Sequence, residues 1–300
     1  MKPIENQQLK EFISAFQCKE DRSCQGIGPI ISIVVPSYNQ AAYLERTILS
    51  ILNQGYPHLE IIIIDGASTD GSVDIIKKYE KHLHYWVSEK DQGQSDALNK
   101  GFHKATGELI GWQNSDDIYL PGAFFTIAKA WHKYPDADVL YGNRLDIDAN
   151  DNIKAESRFT DFSSIVCRYD GLCLMTQSAF FKRKLLQQIG MLDVALNYAM
   201  DYEFFIRAAR NKARFQYIPH FLGAMRRHSE AKTEMFLGTP VHNRECAEID
   251  ARHQRVKLFN LPMKIYSLMF RGYHYCRQGD HRYVWNGIFR RLQEGKFLKG

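Results

Sequence analysis

Acidic and basic side chains in this chain gather at a few short, turn-forming motifs. Asn114-Ser115-Asp116-Asp117 is the most informative. Oxygen donors of this kind suit hard divalent cations such as magnesium or manganese. A cation held there can neutralise a diphosphate leaving group. A polar turn with a capping Asp has the same composition, so position must decide between the two. In Asp65-Gly-Ala-Ser-Thr-Asp70-Gly71, Asp65 could bind a base or a ribose, or serve structure alone. Between Asp91 and Gly101, Asp96 falls in the first turn of a helix and Lys100 one turn on. Helix-dipole complementarity and a surface ion pair explain those two as readily as binding does. Asp201-Tyr202-Glu203 opens a later helix, where a carboxylate could act as general base or merely favour the helix start. Arg226-Arg227-His228 joins two phosphate-binding cations to an imidazole able to ligate metal.

The elements that must position these groups begin at Ile31 to Val35, a strand closed by Pro36. Asn39 can cap a helix whose apolar stripe is Leu44, Ile48, Ile51 and Leu52. Glu60 to Ile64 is a continuous β-branched strand, as expected of one covered on both faces. Thr69 or Asp70 caps the next helix (Val73, Ile76, Tyr79), and His84 to Val87 is a third strand. Ser95 caps a helix with Leu98, Phe102 and Ala105 before a fourth strand, Leu109 to Trp112. This alternation predicts an α/β, doubly wound, mostly parallel sheet. Ligands of such sheets bind beyond the carboxyl ends of the strands. Those ends read Pro36-Ser37-Tyr38-Asn39, Asp65 to Asp70, Glu89 to Gly93 and Asn114 to Asp117, so they should converge on one edge. Later come a helix with Phe124, Phe125, Ala128 and Trp131, a strand at Val139–Tyr141, an irregular stretch near 148–170, a strand from Gln177 to Phe181 and a helix over 201–211.

Three segments follow from this pattern: a helical lead over 1–29 (Leu9, Phe12, Ile13, Phe16) closing at Gly26-Ile27-Gly28-Pro29, a catalytic unit over 30–239, and a basic, aromatic-rich helical extension over 240–300. Of 300 residues, 45% are hydrophobic and 24% charged, which excludes a disordered chain. No run approaches the roughly 18 apolar residues of a membrane span, and the first residues lack an apolar signal core. Six scattered cysteines without a Cys-x-x-Cys pair fit a reducing, cytoplasmic compartment. Residues 240–300 hold 12 Lys+Arg against 5 Asp+Glu, a surplus of +7 in a chain whose net charge is +5. That surplus could meet an anionic lipid surface, nucleic acid or an acidic substrate, or simply be a solvated face. No P-loop, no dinucleotide glycine fingerprint and no serine-hydrolase elbow is present.

Taken together, Val34 to Asn39, Ile64 to Gly71, Asp91 to Gly101, Asn114 to Pro121, Gln177 to Arg183 and Met200 to Phe205 resemble the family-two inverting glycosyltransferases of GT-A fold. The resemblance covers about Ile30 to His228. It implies a nucleotide-sugar donor, often a uridine diphosphate sugar, and a divalent metal, Mn2+ or Mg2+. It assigns Tyr38 to stack on the base, with Pro36 and Ser37 lining the same pocket, and Asp65, Asp91, Asp96, Lys100, Asn114 and Ser115 to the donor side. Asp116, helped by Asp117, becomes the metal ligand, and Asp201 the base with Glu203 as alternative. Arg226, Arg227 and His228 would contact diphosphate or metal. Gly66 stands where relatives often carry a second Asp, Asn114 where they carry the first Asp of the metal motif, and Leu98 where they often carry Arg.

The implied reaction is a single in-line displacement, with inversion, onto a hydroxyl of a saccharide or lipid-linked acceptor. The implied setting is the cytoplasm, with peripheral contact at the inner face of a membrane through 240–300, in cell-envelope polysaccharide biosynthesis. The alternatives are a sugar-1-phosphate nucleotidyltransferase, which would usually open on a Gly-rich, basic loop after the first strand, and a non-catalytic subunit that binds the nucleotide sugar.

Overall fold

The structure is a computed structural model describing residues 6–14, 28–163, 165–167, 174–253, 261–281 and 283. Phe16, Gly26, Ile27, Phe259, Trp285 and Phe289, and the side chain of Ile13, lie outside the described residues.

Four parallel strands carry the first half: β1 (Ile31–Ser37), β2 (Leu59–Asp65), β3 (Tyr85–Ser88) and β4 (Leu109–Trp112), in the spatial order β3-β2-β1-β4. Their β-branched runs are buried on both faces, as the unbroken apolar pattern predicts. Ile31, Ile33, Val35, Ile61 and Ile63 pack against Leu44, Ile48 and Ile51 of α2 (Ala41–Leu52) and Ile76 of α3 (Ser72–Tyr79). Phe124 and Ile127 of α5 (Ala123–Lys133) join the same face. Val34, Ile62, Ile64, Ile110 and Trp112 pack on the other side against Ala97, Leu98 and Phe102 of α4 (Gln94–Lys104).

The second half of the sheet is mixed. β4 pairs antiparallel with β8 (Ala179–Lys182), β8 antiparallel with β6 (Val139–Asp148), β6 parallel with β9 (Phe215–Arg227), and β9 antiparallel with β5 (Ile118–Tyr119). β7 (Ile153–Ser157) forms a hairpin with β6. β6 runs well past Tyr141 because its polar residues are paired within the sheet. Arg144 bridges to Asp146 at 3.1 Å, and both are buried.

The expected strand at Gln177 starts only at Ala179, because Thr176–Ser178 is a 3-10 turn that frees Gln177 to reach a carboxylate. Backbone crowds this turn so closely that a Cβ at Gly223 would fall 1.9 Å from the Gln177 carbonyl oxygen.

Helix starts differ from expectation for a common reason: the capping side chains serve other elements. Asn39 takes a left-handed φ of 51° and accepts from Thr69 N–H, while α2 starts after Gln40. Asp70 accepts from Ser72 N–H and also from Ala41 N–H, so it ties α3 to α2. Ser95 lies inside α4, behind Gly93, and its hydroxyl leaves the helix altogether.

Both flanking segments pack on this body. Leu9 of α1 (Asn6–Ser14) is buried with Ile118, Leu120, Leu145 and Ile147. After the helices α6 (Arg183–Ile189), α7 (Met200–Arg210) and α8 (Lys232–Phe236) comes α9 (Pro240–Arg252), whose Ile249 enters the main core. The last described helix is α10 (Leu261–Arg277).

Candidate active site

The carboxyl ends of β1, β2 and β4, the turn after β3 and the end of β9 enclose a cleft of about 510 Å3. Pro36, Ser37, Tyr38, Asp91, Asn114, Ser115, Asp116, Asp117 and Arg226 line it. At one end the Tyr38 ring is 63% exposed. Nothing covers this stacking surface because residue 66 has no side chain: a Cβ there would fall 3.2 Å from Tyr38 Cδ2 and 2.7 Å from Asp91 Oδ2. The Asp91 carboxylate therefore fills the corner that a second Asp would need. Asp65 does not reach the cleft. It is buried and accepts from Ser68 N–H (2.9 Å), the Ser68 hydroxyl (2.5 Å) and the Ser88 hydroxyl (2.7 Å), which consumes its oxygens.

The two acids of the metal turn have opposite surroundings. Asp117 is buried and turned inward, accepting from Asn114 Nδ2 (3.0 Å), Gln177 Nε2 (2.8 Å) and Arg226 N–H (2.8 Å). Burial, and then the charge of Asp116 beside it, push its carboxyl well above the usual range against those three donors. Asp116 faces the cleft, and its Oδ2 lies 3.0 Å from Nε2 of His228, whose ring packs on Tyr43. A carboxylate oxygen and an imidazole nitrogen side by side form a donor pair suited to manganese. Among the described residues no three His, Cys, Asp or Glu side chains gather around one point. Two protein ligands, with phosphate and water completing the sphere, is the habit of cations that bind with phosphate substrates. The residues present fit such an ion through Asp116 and His228, with Asp117 holding the turn.

Arg226 is fully buried. Its Nε donates to the Asp116 carbonyl (2.8 Å), its Nη1 bridges to Asp151 (2.5 Å), and its Nη2 has no partner among the described residues.

Asp201 stands in the first turn of α7, partly exposed. Burial of its carboxyl raises it to about 6, held from going higher by its own backbone and by the charges of His242 and Arg144. Arg144 acts on Asp117 as well, so one cation influences both carboxyls. The loop before α7 is fixed from three sides. Asn99 exchanges two 2.9 Å hydrogen bonds with the backbone of Leu192. The Ser95 hydroxyl donates to Leu196 O, and the buried Glu245 of α9 accepts from Asn197, Tyr198 and Ala199 N–H at 2.9–3.0 Å.

Asp96, Lys100, Arg227 and Glu203, like Asp65, are not brought into the cleft, and Asp201 and His228 are not among the residues that line it. Asp96 accepts from Gln92 N–H and pairs with Lys100, which also holds Glu89 at 2.8 Å. Arg227 pairs with Asp146 and Glu234. Glu203 is buried between Arg207 (2.9 Å) and His253 (3.0 Å), where it locks α7 to α9. Sequence reasoning missed Gln94, which donates to Asn114 Oδ1, Lys232 on the cleft wall, and Glu245, which sits in a helix with no motif to mark it.

A family model described as glycosyl transferase family 2 matches residues 32–193 and so ends before Asp201. A Bacillus subtilis (strain 168) protein named for teichuronic acid biosynthesis, the glycosyltransferase TuaG, is 41% identical over 92 residues, 30% of this chain and 36% of that one. An uncharacterized glycosyltransferase of Rickettsia typhi is 29% identical over 195 residues, 61% of this chain and 59% of that one. The chain thus spans between about a third and three-fifths of those two relatives. Two solved structures share the fold. S. aureus TarS 1-349 in complex with UDP-GlcNAc has a TM-score of 0.57 at 18% identity, covering 90% of this chain and 93% of that one. A mannosyltransferase from Pyrobaculum calidifontis in complex with GDP-Man and Mn2+ has a TM-score of 0.54 at 17% identity, covering 96% and 87%. Since the family match extends over more than half of the sequence and the GT-A architecture accompanies it, the chain belongs to glycosyl transferase family 2.

Proposed function

We propose that the protein transfers a sugar from a nucleoside diphosphate donor, a UDP-sugar first of all, to a hydroxyl of a saccharide or lipid-linked acceptor, with inversion at the anomeric carbon. The observation that carries this reading is a cleft with a bare aromatic ring at one end and Asp116, paired with the buried His228, at the other. The complexes of two fold neighbours with UDP-GlcNAc and with GDP-Man and Mn2+ support it. Tyr38 stacks on the base and Asp91 accepts an N–H from it. Asp116 and His228 would hold a divalent cation, which supplies charge neutralisation for the departing diphosphate. The inward bonds of Asp117 keep Asp116 aimed, and the spare Nη2 of Arg226 adds a donor on the same side. Asp201 removes the acceptor proton. A carboxyl raised to about 6 is still ionised at neutral pH and is a stronger base than an ordinary aspartate. The acceptor oxygen then bonds to the anomeric carbon as the bond to diphosphate breaks on the opposite face. Thermal shift with manganese and a panel of nucleoside diphosphates and their sugars tests the proposal. A melting temperature that rises with donor concentration supports it, and a panel without any shift overturns it.

The acceptor reading has its own support. α10 is amphipathic in the inverse sense: Ser267 and His274 are buried, while Ile265, Leu268, Met269 (69%) and Tyr273 (64%) are exposed. It carries no Asp or Glu, and it belongs to the segment with a +7 surplus. Such a face suits an anionic membrane surface, from the cytoplasmic side. Among the described residues no helix is long and apolar enough to cross a membrane.

A further inference from the structure

A departing diphosphate needs protein cations, and three of those that sequence motifs offer are held in ion pairs. Lys100 pairs with Glu89 and Asp96, Arg227 with Asp146 and Glu234, and Arg226 with Asp151. Lys232 differs from all three. It stands just beyond the end of β9, on the stretch 230–233 that walls the cleft facing Gln94 and Asp116. Its Nζ donates to two uncharged oxygens, Gln94 Oε1 at 3.1 Å and Asn197 O at 3.4 Å. Among the described residues no carboxylate comes within ion-pair distance of it; burial lowers its pKa, against the more distant charges of Asp91, Glu245 and Asp116. The ammonium is thus held at the cleft wall by neutral partners, with no carboxylate in direct contact among the described residues. An oxyanion arriving there gains a charge-assisted bond in exchange for two ordinary ones.

We propose that Lys232 is the side chain that binds the diphosphate of the donor, leaving Gln94 and Asn197 to do so. This deepens the donor reading above and rests on it. Asn197 belongs to the loop that leads into Asp201, so the same lysine ties the arrival of the donor to the placement of the base.

The test uses the full chain with manganese. Binding of UDP and GDP is measured by calorimetry, and that of uridine by ligand-observed NMR, for wild type, Lys232→Met and Lys232→Arg. The expected result is a loss of roughly tenfold to a hundredfold in UDP affinity for Lys232→Met, with uridine affinity unchanged within about twofold and with Arg restoring most of the loss. Unchanged uridine binding also shows that the variant is folded. Equal UDP affinity in wild type and Lys232→Met overturns the role of Lys232 and leaves the donor reading standing. Wild type that binds neither UDP nor GDP overturns the donor reading, and this inference with it.

Discussion

Asp117 and Asp201 are both lifted by burial, and the proposed chemistry asks different things of them. Asp117 organises the turn. Asp201 must lose its proton before it can act, so kcat/KM is expected to fall about tenfold per pH unit below about 6 and to level off above it. Asp201→Asn is expected to lower the rate by roughly 10² or more while UDP affinity stays near wild type. The same shift predicts the stability of that variant. The folded carboxyl holds its proton up to about 6, whereas the unfolded one releases it near 3.8. Between those values the folded state binds more protons, so stability is lost as pH rises. Asp201→Asn removes this loss and should melt higher than wild type at pH 7.5, by on the order of 1–2 kcal/mol for a partly exposed group. Arg226→Met, in contrast, leaves Asp151 with Arg46 alone, 3.5 Å away, and should cost about 3 kcal/mol in denaturant unfolding. At this scale the sequence reveals residue types but not their orientations. Tyr38, Asp91, Asp116 and Arg226 line the cleft, whereas Asp65, Asp96, Lys100, Arg227 and Glu203 spend their charges on partners elsewhere. Ser88, Asp146 and His253 are among those partners and only folding brings them near, whereas Asp96 and Lys100 pair within one helix.

Among the elements, α4 links the two halves of the site. Its first residue, Gln94, touches Asn114, and its Ser95 and Asn99 hold the loop before Asp201. Asn99→Ala is therefore expected to lower kcat roughly tenfold with little change in donor KM, because it removes two bonds that place the base and none that face the nucleotide. Steady-state kinetics with varied donor checks this. β1 to β4 and α2 to α4 were legible, since unbroken apolar strand runs and the 3.6 helical stripe mark them in the sequence. β6 was legible only to Tyr141, because Arg144 and Asp146 break the apolar pattern and are satisfied by each other. Asn39, Asp70 and Ser95 look like caps locally, but their side chains are taken by neighbouring loops and helices, and no local rule reveals that competition.

For the whole molecule, the α/β class and the parallel half of the sheet follow from the strand–helix rhythm up to Trp112, while the GT-A fold was implied only by the resemblance of the motifs. The antiparallel pairings of β8 and β5 do not follow from that rhythm, since they join segments some seventy to a hundred residues apart. The charge asymmetry was visible in composition, but the outward apolar stripe of α10 was not, because only packing shows which side of a helix faces the body. Full-length protein is expected to float with vesicles rich in phosphatidylglycerol and to detach as salt rises; an Ile265→Glu/Met269→Glu variant should stay behind. Wild type that fails to float would remove the membrane from the proposal. Glu245 adds a different constraint. A carboxylate from α9 secures the three amides ahead of Asp201, so the order of that loop depends on a residue beyond Thr239. A chimera that keeps residues up to Thr239 and grafts on a foreign C-terminus would need its own acid at that spot before the reaction could run.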